Sequence, residues 1–232
     1  MSEATGSDVA ALTALRETLG GIVSAEAEVL RRASFDAMKM AFEPTAVVKP
    51  VEEAQIGVLL RLANQFGVPV TTRGAGSSLT GSAAPLRGGW VLDLSEFAGF
   101  SIDAEERTCS ARPGAVVADV QREAGKLGLF YPPDPSSKNF CTLGGNVACN
   151  AGGLRCVKYG VTRDYVLALR GFLPTGEKVE WGRATRKFAT GYNLRDLWIG
   201  SEGTLGVISE IVLRLIPKPA VTRTFLAAFS SE

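Results

Sequence analysis

The stretch "TTRGAGSSLTG", residues 71–81, follows a short apolar run and places three glycines and several hydroxyl side chains around one arginine. Its glycines, Gly74, Gly76 and Gly81, match neither the spacing of a GxGxxG dinucleotide fingerprint nor a P-loop, which ends in Gly-Lys-Ser/Thr. Residues 73–92 contain no acidic side chain. Backbone amides turned inward by such a loop form an anion-binding nest, and phosphate oxygens are its usual ligand. The alternative is a tight turn in which the glycines serve only backbone geometry, and for this loop alone that alternative is favoured.

The residues before the loop predict a β-α-β unit over residues 46–72. A β-branched run at 46–49 predicts a strand, residues 51–66 predict a helix that Gly67 ends, and "VPVTT" at 68–72 predicts a second strand. The predicted inward face of the helix consists of Val51, Ala54, Val58, Leu62 and Phe66. The glycine loop then lies at the carboxyl end of a strand, where open α/β sheets bind ligands.

The rest of the chain shows the same mixture of strands and helices. Short strands are predicted at 90–94 and near 100–103 and 107–111, and residues 116–128 predict a helix with Val117, Val120, Ala124 and Leu127 inward and Gly128 at its end. Strand character returns in "YVLALRGFL", "KVEWG" and "GVISEIVLRLIPKP". The segment 131–163 between them has little periodicity, which is typical of a functional loop in a compact domain.

Composition excludes several classes of partner. The 232 residues are 46% hydrophobic, and 25 basic against 24 acidic side chains leave no global field for nucleic acid or an anionic membrane. No secretory signal is recognisable in the first 30 residues and no apolar run is long enough to span a bilayer, so we expect a cytoplasmic protein. The spacing of the four cysteines, Cys109, Cys141, Cys149 and Cys156, predicts free buried thiols in a reducing compartment.

The chain contains no histidine. This absence excludes Ser-His-Asp and Cys-His hydrolysis, His-ligated zinc and histidyl-linked cofactors for this chain, and no metal site is predicted. The chemistry must therefore come from a cofactor, a carboxylate, a lysine or a second polypeptide.

Two further glycine-rich segments favour a long ligand. Residues 135–163 contain no Asp or Glu but four basic side chains, and "GSEGTLGVI", residues 200–208, supplies another glycine turn that enters a strand. Three such loops on one domain fit a dinucleotide better than a single phosphate.

Four motifs together resemble a known family. In chain order they are "TTRGAGSSLTG", "YPPDPSSKNFCTLGGNVACNAGG", "KYGVTRDYV" and "TGYNLRDLWIGSEGTLGVISEIVLRLIPKP". They resemble the FAD-binding domain of flavoenzymes of the vanillyl-alcohol-oxidase or p-cresol methylhydroxylase (PCMH) type. Within that group the resemblance is closest to the flavin subunit of glycolate oxidase, D-lactate dehydrogenase and D-2-hydroxyglutarate dehydrogenase. It covers about residues 44–219.

The resemblance implies an α+β fold in which two α/β subdomains hold FAD between them, with the substrate (cap) domain absent. It divides the chain into an N-terminal helical segment at 1–43, the FAD-binding domain at 44–219, and residues 220–232 as the start of a missing C-terminal domain or tail. The apolar "FLAAF" at 225–229 has little obvious left to pack on, so we expect a continuation or a partner chain there.

The resemblance also implies which residues contact the cofactor. The loop after the second strand would wrap the diphosphate through Arg73, Gly74, Ala75, Gly76, Ser77, Ser78 and Gly81. The flavin and ribityl chain would meet Pro135, Ser136, Ser137, Thr142, Gly144, Gly145, Asn146, Ala148 and Gly152, and the ribityl or adenine side would meet Glu202, Gly203 and Ile208. Ser77 stands where histidyl-linked relatives carry histidine, which implies noncovalent FAD. Lys138 and Arg155 are either stabilisers of reduced flavin or solvated loop residues.

The activity implied is hydride transfer from a 2-hydroxy acid, of the glycolate or D-lactate type, to flavin N5. The catalytic base is not identifiable, because in the 2-hydroxy-acid members it lies, with histidine metal ligands, in a C-terminal substrate domain that this sequence does not reach. The alternative is a non-catalytic flavin-carrying subunit or truncated module that needs a partner chain for substrate binding. A flavin-free nucleotide or phosphate binder is a third, less favoured function.

Overall fold

The structure is a computed structural model that describes residues 6–185, 187 and 189–229. It confirms the α+β fold: the chain forms two subdomains, each with its own sheet and its own large hydrophobic core. Within the described part of the chain, no helix is long and apolar enough to cross a bilayer.

The first subdomain contains four strands and three helices. In chain order these are α1 (Gly6–Leu19), a 3-10 helix (Gly20–Ile22), β1 (Val23–Ser24), α2 (Ala27–Ala33), β2 (Ala46–Val48), α3 (Glu53–Phe66), β3 (Val70–Arg73) and β4 (Trp90–Asp93). The sheet order is β1-β2-β4-β3, with β2 and β3 both parallel to β4 and β1 antiparallel to β2. Helix α3 is thus the crossover of the predicted β-α-β unit, and the glycine loop leaves the carboxyl edge of the parallel strands.

Helix α3 does not bury the face that its sequence pattern predicts. Val51 precedes the helix and is 63% exposed, Ala54 is exposed, and Val58, Leu62 and Phe66 are only partly buried. The buried positions are Ile56, Gly57, Leu59, Leu60 and Ala63. The prediction was therefore wrong for Val51 and Ala54, whereas Leu62 and Phe66 are partly buried against the core. The fully buried stripe is a second one, and Ala11 and Leu15 of α1 belong to the same core.

The second subdomain is built on an antiparallel sheet of five strands. Its elements are β5 (Phe100–Asp103), β6 (Thr108–Ala111), α4 (Val117–Lys126), β7 (Leu129–Phe130), α5 (Leu143–Ala148), α6 (Cys156–Tyr159), a 3-10 helix (Thr162–Tyr165), β8 (Val166–Phe172), β9 (Lys178–Gly182), α7 (Leu194–Trp198), β10 (Val207–Arg214) and β11 (Ile216–Pro217). The sheet order is β5-β6-β10-β8-β9, and β11 pairs separately with β7. Leu127, predicted to face inward from α4, lies just beyond the helix and is 51% exposed.

The segment 131–163, which lacks sequence periodicity, contains the short helices α5 and α6. Helix α5 has only six residues, too few to show a helical pattern. Thr142 is its N-cap, and its side-chain oxygen accepts a hydrogen bond from the Gly145 amide at 3.4 Å. A threonine at this position is the one sequence signal that predicts the helix.

A polar face of α3 joins the two subdomains. Arg61 Nη1 donates to the carbonyl oxygen of Gly176 at 3.0 Å, and Asn64 Nδ2 donates to the carbonyl oxygen of Pro174 at 2.7 Å. These acceptors lie in the turn between β8 and β9. The helix therefore packs on the first sheet with one face and on the edge of the second sheet with another.

The same interface contains an ion pair at the start of α3. Glu53 accepts hydrogen bonds from Lys178 of β9 and from the Ser209 hydroxyl of β10, the latter at 2.7 Å. Partial burial raises the pKa of Glu53, but the hydrogen bonds from Lys178 and Ser209 and the charge of Lys178 outweigh it, so its pKa lies below the ordinary value. The carboxylate form is thus the one that holds the two subdomains together.

Residues 221–229 extend from the second subdomain without packing on it. Phe225, Leu226 and Phe229 are 87%, 97% and 86% exposed. The domain boundaries that the sequence predicts after residues 43 and 219 remain predictions.

Replacing Gly57 by alanine should destabilise the protein, although alanine is the better helix former by about 1 kcal/mol. A Cβ at position 57 would lie 2.9 Å from the buried Phe172 ring and 3.1 Å from the Gly176 carbonyl oxygen. Overpacking of this kind costs about 1–3 kcal/mol. Gly125→Ala is the matched control, because the Cβ of this other helical glycine meets only Lys218 Nζ at 3.9 Å. Denaturant unfolding should show a lower free energy of unfolding for Gly57→Ala and one up to about 1 kcal/mol higher for Gly125→Ala. Equal shifts in the two variants would contradict the close packing of Gly57 against the second subdomain.

Glu53→Gln should lower the free energy of unfolding by about 1 kcal/mol at pH 7, because it removes the charge that pairs with half-exposed Lys178. The pKa of Glu53 is depressed in the fold, so its contribution is complete above the unfolded-state pKa and is lost as the pH falls through the folded-state value. Urea unfolding of both proteins at pH 7 and pH 3 should show the difference shrinking at the lower pH. A difference that stays constant would show that the charge of Glu53 contributes nothing.

Candidate functional site

A cleft of about 310 Å³ lies between the two subdomains. It is lined by three segments that are distant in sequence: the loop after β3, the segment around α5, and the turn before β10. Its volume is at the lower end of the range for small-molecule and cofactor sites. The three glycine-rich stretches of the sequence are thereby brought together.

The side chain of Arg73, the last residue of β3, lies beneath the loop that follows and hydrogen-bonds to backbone carbonyls there. Its Nη1 donates to the carbonyl oxygens of Phe35 at 2.6 Å and Ala83 at 3.2 Å. A Cβ on Gly76, which has a φ of 65°, would lie 2.1 Å from the guanidinium, so the loop can pass over Arg73 only with glycine there. Burial lowers the pKa of Arg73, against the charges of two neighbouring carboxylates, yet an arginine stays protonated at neutral pH.

The backbone amides of this loop are free to bind a ligand. Over residues 74–79, no amide donates a hydrogen bond to any acceptor in the described part of the chain. The next amide, that of Thr80, donates to the Ser78 hydroxyl at 3.2 Å. Six successive unpaired donors in a loop that lines the cleft, with a cation beneath them and no carboxylate in the loop, match the donor set of an anion-binding nest.

The loop comes close to the N-terminal end of α5. A Cβ on Gly74 would lie 2.3 Å from Thr142 Oγ1, the atom that caps the helix. Any larger residue at position 74 would push the first loop away from the second. The width of the cleft at this point therefore depends on glycine.

Asn146 of α5 has a polar group without a partner. The residue is 4% exposed, it lines the cleft, and its Nδ2 makes no well-aligned hydrogen bond among the described residues, although its side chain lies close enough to the Cys141 thiol to favour the thiolate there. A buried donor left in this state costs about 1–3 kcal/mol. Such a group at the wall of a cleft is the signature of a ligand contact.

The turn before β10, which is the third lining segment, closes one end of the cleft. Thr80 Oγ1 donates to Glu202 Oε2 at 2.9 Å, a hydrogen bond that links the two subdomains directly across the cleft. Glu202 has an unusual φ of 54°, and its amide donates to the Ala148 carbonyl oxygen at 2.8 Å. A Cβ on Gly203 would lie 2.7 Å from Thr72 Oγ1, so this turn also requires a glycine for close approach.

Most of the predicted contact residues line the cleft. Those that do are Arg73, Gly74, Ala75, Gly76, Ser77, Ser78, Pro135, Ser136, Ser137, Thr142, Gly144, Gly145, Asn146, Ala148, Glu202, Gly203 and Ile208. Gly81 and Gly152 do not. Gly81 has a φ of 79°, and a Cβ on Gly152 would lie 3.1 Å from Cys156 Sγ. A contact of either glycine with the cofactor stays a prediction.

The two basic residues considered as flavin stabilisers lie elsewhere. Neither Lys138 nor Arg155 lines the cleft. Arg155 is held by Asp134, which accepts from its amide at 3.1 Å and lies 3.4 Å from its Nε, and it stacks over the Phe130 ring. Its charge is thus neutralised within its own loop.

Sequence reasoning missed a further set of lining residues. These are Thr72, Leu79, Thr80, Ser82, Ala83, Leu94, Pro113, Cys149, Ala151, Ser201, Gly206 and Val207. Thr80 lies in the glycine loop and Ser82 directly follows it, and both could have been included for their hydroxyls. Leu94 and Pro113 follow strands of different subdomains, and only the fold brings them to the cleft.

The cysteines differ from the prediction of four buried thiols. All four are free, but only Cys109 and Cys141 are buried; Cys156 is partly exposed and Cys149 is exposed. Cys149 follows the last residue of α5 and lies in the wall of the cleft. The prediction was wrong for Cys149, because the sequence does not reveal that α5 borders an open site.

Comparison with known proteins identifies relatives that match most of the chain. A family model described as an FAD binding domain matches residues 44–182. The chain is 41% identical over 189 residues to the glycolate oxidase subunit GlcD of Bacillus subtilis, covering 81% of this chain and 40% of that protein. It is 44% identical over 177 residues to the D-lactate dehydrogenase of Anaerostipes hadrus, covering 76% of this chain and 37% of that protein.

A solved structure has the same fold. The structure of p-cresol methylhydroxylase with substrate bound superimposes with a TM-score of 0.81 at 22% identity, covering 94% of this chain and 45% of that one. The chain spans about two fifths of the length of the two curated relatives.

Asn146→Leu tests whether the unpaired amide exists for a ligand. Because Nδ2 has no described partner, its removal should leave the free protein as stable as before or stabilise it by up to about 1 kcal/mol. Affinity for added FAD should nevertheless fall about tenfold, the equivalent of one lost hydrogen bond of about 1.4 kcal/mol. Thermal unfolding and FAD titration of the same samples measure both effects. A variant that loses stability and keeps its affinity would show that Asn146 is purely structural.

Proposed function

The chain belongs to the FAD binding domain family, and from this membership we propose that it is the flavin-carrying part of an oxidoreductase that oxidises a 2-hydroxy acid. FAD is the cofactor of the domain. Glycolate and D-lactate are the proposed substrate types, because its relatives include a glycolate oxidase subunit and a D-lactate dehydrogenase.

The unpaired amides at residues 74–79 carry the proposal. They fit the diphosphate of FAD, whose oxygens need several donors at once. The nearby charges also favour an anionic ligand, since Arg73 lies beneath the loop and residues 73–92 contain no carboxylate. Asn146 Nδ2 supplies a further donor deeper in the cleft.

The proposed contacts follow the three segments of the cleft. The first loop would hold the diphosphate through the amides of residues 74–78. The second, at residues 135–137 and 142–148, would lie along the flavin and ribityl chain. Glu202, Gly203 and Ile208 would meet the ribityl or adenine side. We propose a noncovalent cofactor, because the chain has no histidine and Ser77 stands where histidyl-linked relatives carry one.

FAD supplies the hydride acceptor for oxidation of the carbon that bears the substrate hydroxyl. The chain's own residues bind it, orient it and restrict water around it. The ionisable side chains among the described lining residues are Arg73, Cys149 and Glu202. Arg73 is bound to backbone carbonyls, and Glu202 is bound to Thr80. We propose that the base for the hydroxyl proton and the cations for the substrate carboxylate come from polypeptide beyond these residues.

A second candidate function rests on the same observation. Because the described cleft offers no free base or carboxylate-binding cation, the chain would serve as a flavin-carrying module that needs a partner chain or further domain. The relative from Bacillus subtilis is itself named a subunit, which supports assembly with other chains.

A visible absorption spectrum of the purified chain, before and after denaturation and filtration, tests the proposed function. We expect bound flavin that is released on denaturation. Gly74→Ala should weaken FAD binding at least about tenfold, because the added Cβ collides with Thr142 Oγ1. Gly21→Ala, whose Cβ meets nothing within 4 Å, is the control.

Anaerobic addition of glycolate, D-lactate and, as control, L-lactate then separates the two functions. Bleaching by glycolate or D-lactate establishes an enzyme that is active as this chain. Bound flavin that none of them bleaches supports the carrier module. A chain that neither contains nor takes up FAD would overturn both.

A further inference from the structure

The four thiols of the chain differ sharply in access. Cys109 and Cys141 are buried, and burial raises the pKa of Cys109 to about 12, so neither reacts with a reagent in solution. Cys156 is partly exposed, and its Sγ accepts a hydrogen bond from the Gly153 amide at 2.9 Å. Only Cys149 combines an exposed side chain with a position in the wall of the cleft.

Cys149 shares its part of the wall with groups that contact a ligand. Asn146 lies one helical turn earlier, and its buried unpaired Nδ2 is an independent sign that this wall faces a bound molecule. Beside the thiol, the Ser78, Thr80 and Ser82 hydroxyls of the first subdomain hydrogen-bond one another at 2.8–3.1 Å, and Thr80 also donates to Glu202. The thiol therefore lies where the two subdomains meet around the cleft.

We propose that Cys149 is a modification site inside the cofactor cleft: a low-molecular-weight disulfide forms a mixed disulfide with it, the adduct excludes FAD, and bound FAD shields the thiol. This inference rests on the proposed role of the cleft as the FAD site. It assigns the cleft a second, redox-dependent state in which the domain cannot be loaded with its cofactor.

The chemistry is a thiol–disulfide exchange and needs no other oxidant. Cys149 loses its proton to solvent, and the thiolate attacks one sulfur of the reagent R–S–S–R. The new Cys149–S–S–R bond forms as the S–S bond of the reagent breaks, and R–S⁻ leaves with the electron pair. A reducing thiol reverses the reaction by the same route.

The surroundings make this reaction slow at neutral pH. Burial by the walls of the cleft and the negative charge of Glu202 raise the pKa of Cys149, although hydrogen bonds from Ser78 and Ser82 oppose the shift. Only a small fraction is thiolate at pH 7, so the site responds to sustained oxidation and not to brief exposure.

The steric consequence follows from the position of Cys149 in the wall of the cleft. An adduct on this thiol occupies space beside Asn146 and the loop after β3, which line the same cleft. Because the thiol lies beside residues that would contact FAD, the adduct and FAD compete for the same space. FAD bound first covers the thiol and blocks the approach of the disulfide.

The test uses the whole purified chain, loaded with FAD or stripped of it, incubated with oxidised glutathione at pH 8. Peptide mass spectrometry then measures adduct formation at each of the four cysteines. We expect Cys149 to react fastest in the stripped protein and at least tenfold more slowly when FAD is bound. Cys156, which does not line the cleft, should change less than twofold and is the internal control.

The reverse experiment measures FAD binding by the glutathionylated protein. We expect it to be lost and to return after reduction with dithiothreitol, and in Cys149→Ser we expect FAD binding to be independent of prior disulfide treatment. A Cys149 adduct that leaves FAD affinity unchanged, a rate at Cys149 that FAD does not alter, or no adduct there overturns the inference while the proposed function stands. If the untreated chain takes up no FAD, both fail.

Discussion

The docking of helix α3 against both sheets is the constraint on which the cleft depends. One face of the helix buries Leu59 and its neighbours on the parallel sheet, while Arg61 and Asn64 donate to backbone carbonyls in the turn between β8 and β9. The glycine loop leaves β3, the strand that directly follows this helix, so fixing α3 fixes the loop relative to the second subdomain. The second contact combines these hydrogen bonds with close packing of Gly57 against Phe172, and side-chain donors to carbonyl oxygens specify one relative position of the two surfaces.

Helix α3 is fixed by the hydrogen bonds that it makes, whereas the nest at residues 74–79 depends on amides that make none. Most backbone amides of a folded domain bond to other parts of the chain, whereas six in succession in this partly exposed loop remain available to a ligand. A loop in this state needs support from elsewhere, and the buried guanidinium of Arg73 supplies it through the carbonyls of Phe35 and Ala83. The free energy left unrealised in the amides becomes available when an anion binds. Cofactor binding and folding stability are therefore coupled in this domain, because a ligand that binds only the folded state stabilises it.

The sequence predicts the elements of this fold better than their packing. The strands, the end of α3 at Gly67 and the nest follow from local signals, because β-branched runs and glycine positions report on the backbone of their own segment. The buried face of α3 does not, since the helix has two apolar stripes and the choice between them is made by α1 and the second sheet. The same limit applies to Gly81 and Gly152, because the sequence does not show which glycines of a binding motif line the cleft. Cys149 was misjudged for the related reason that exposure inside a cleft is a property of the assembled subdomains.

These constraints limit the roles that the residues lining the cleft can take. A domain that must leave amides unpaired, approach a ligand through glycines and exclude carboxylates from its phosphate loop has few positions left for acid–base chemistry. Its three ionisable lining residues reflect this: Arg73 supports the loop, Glu202 closes one end of the cleft through Thr80, and Cys149 carries a thiol whose pKa is raised. Under the proposed function, binding the cofactor and accepting the substrate's proton place opposing demands on the same walls. The proposal that further polypeptide supplies the base resolves that conflict, because the described walls then need to fit only the cofactor.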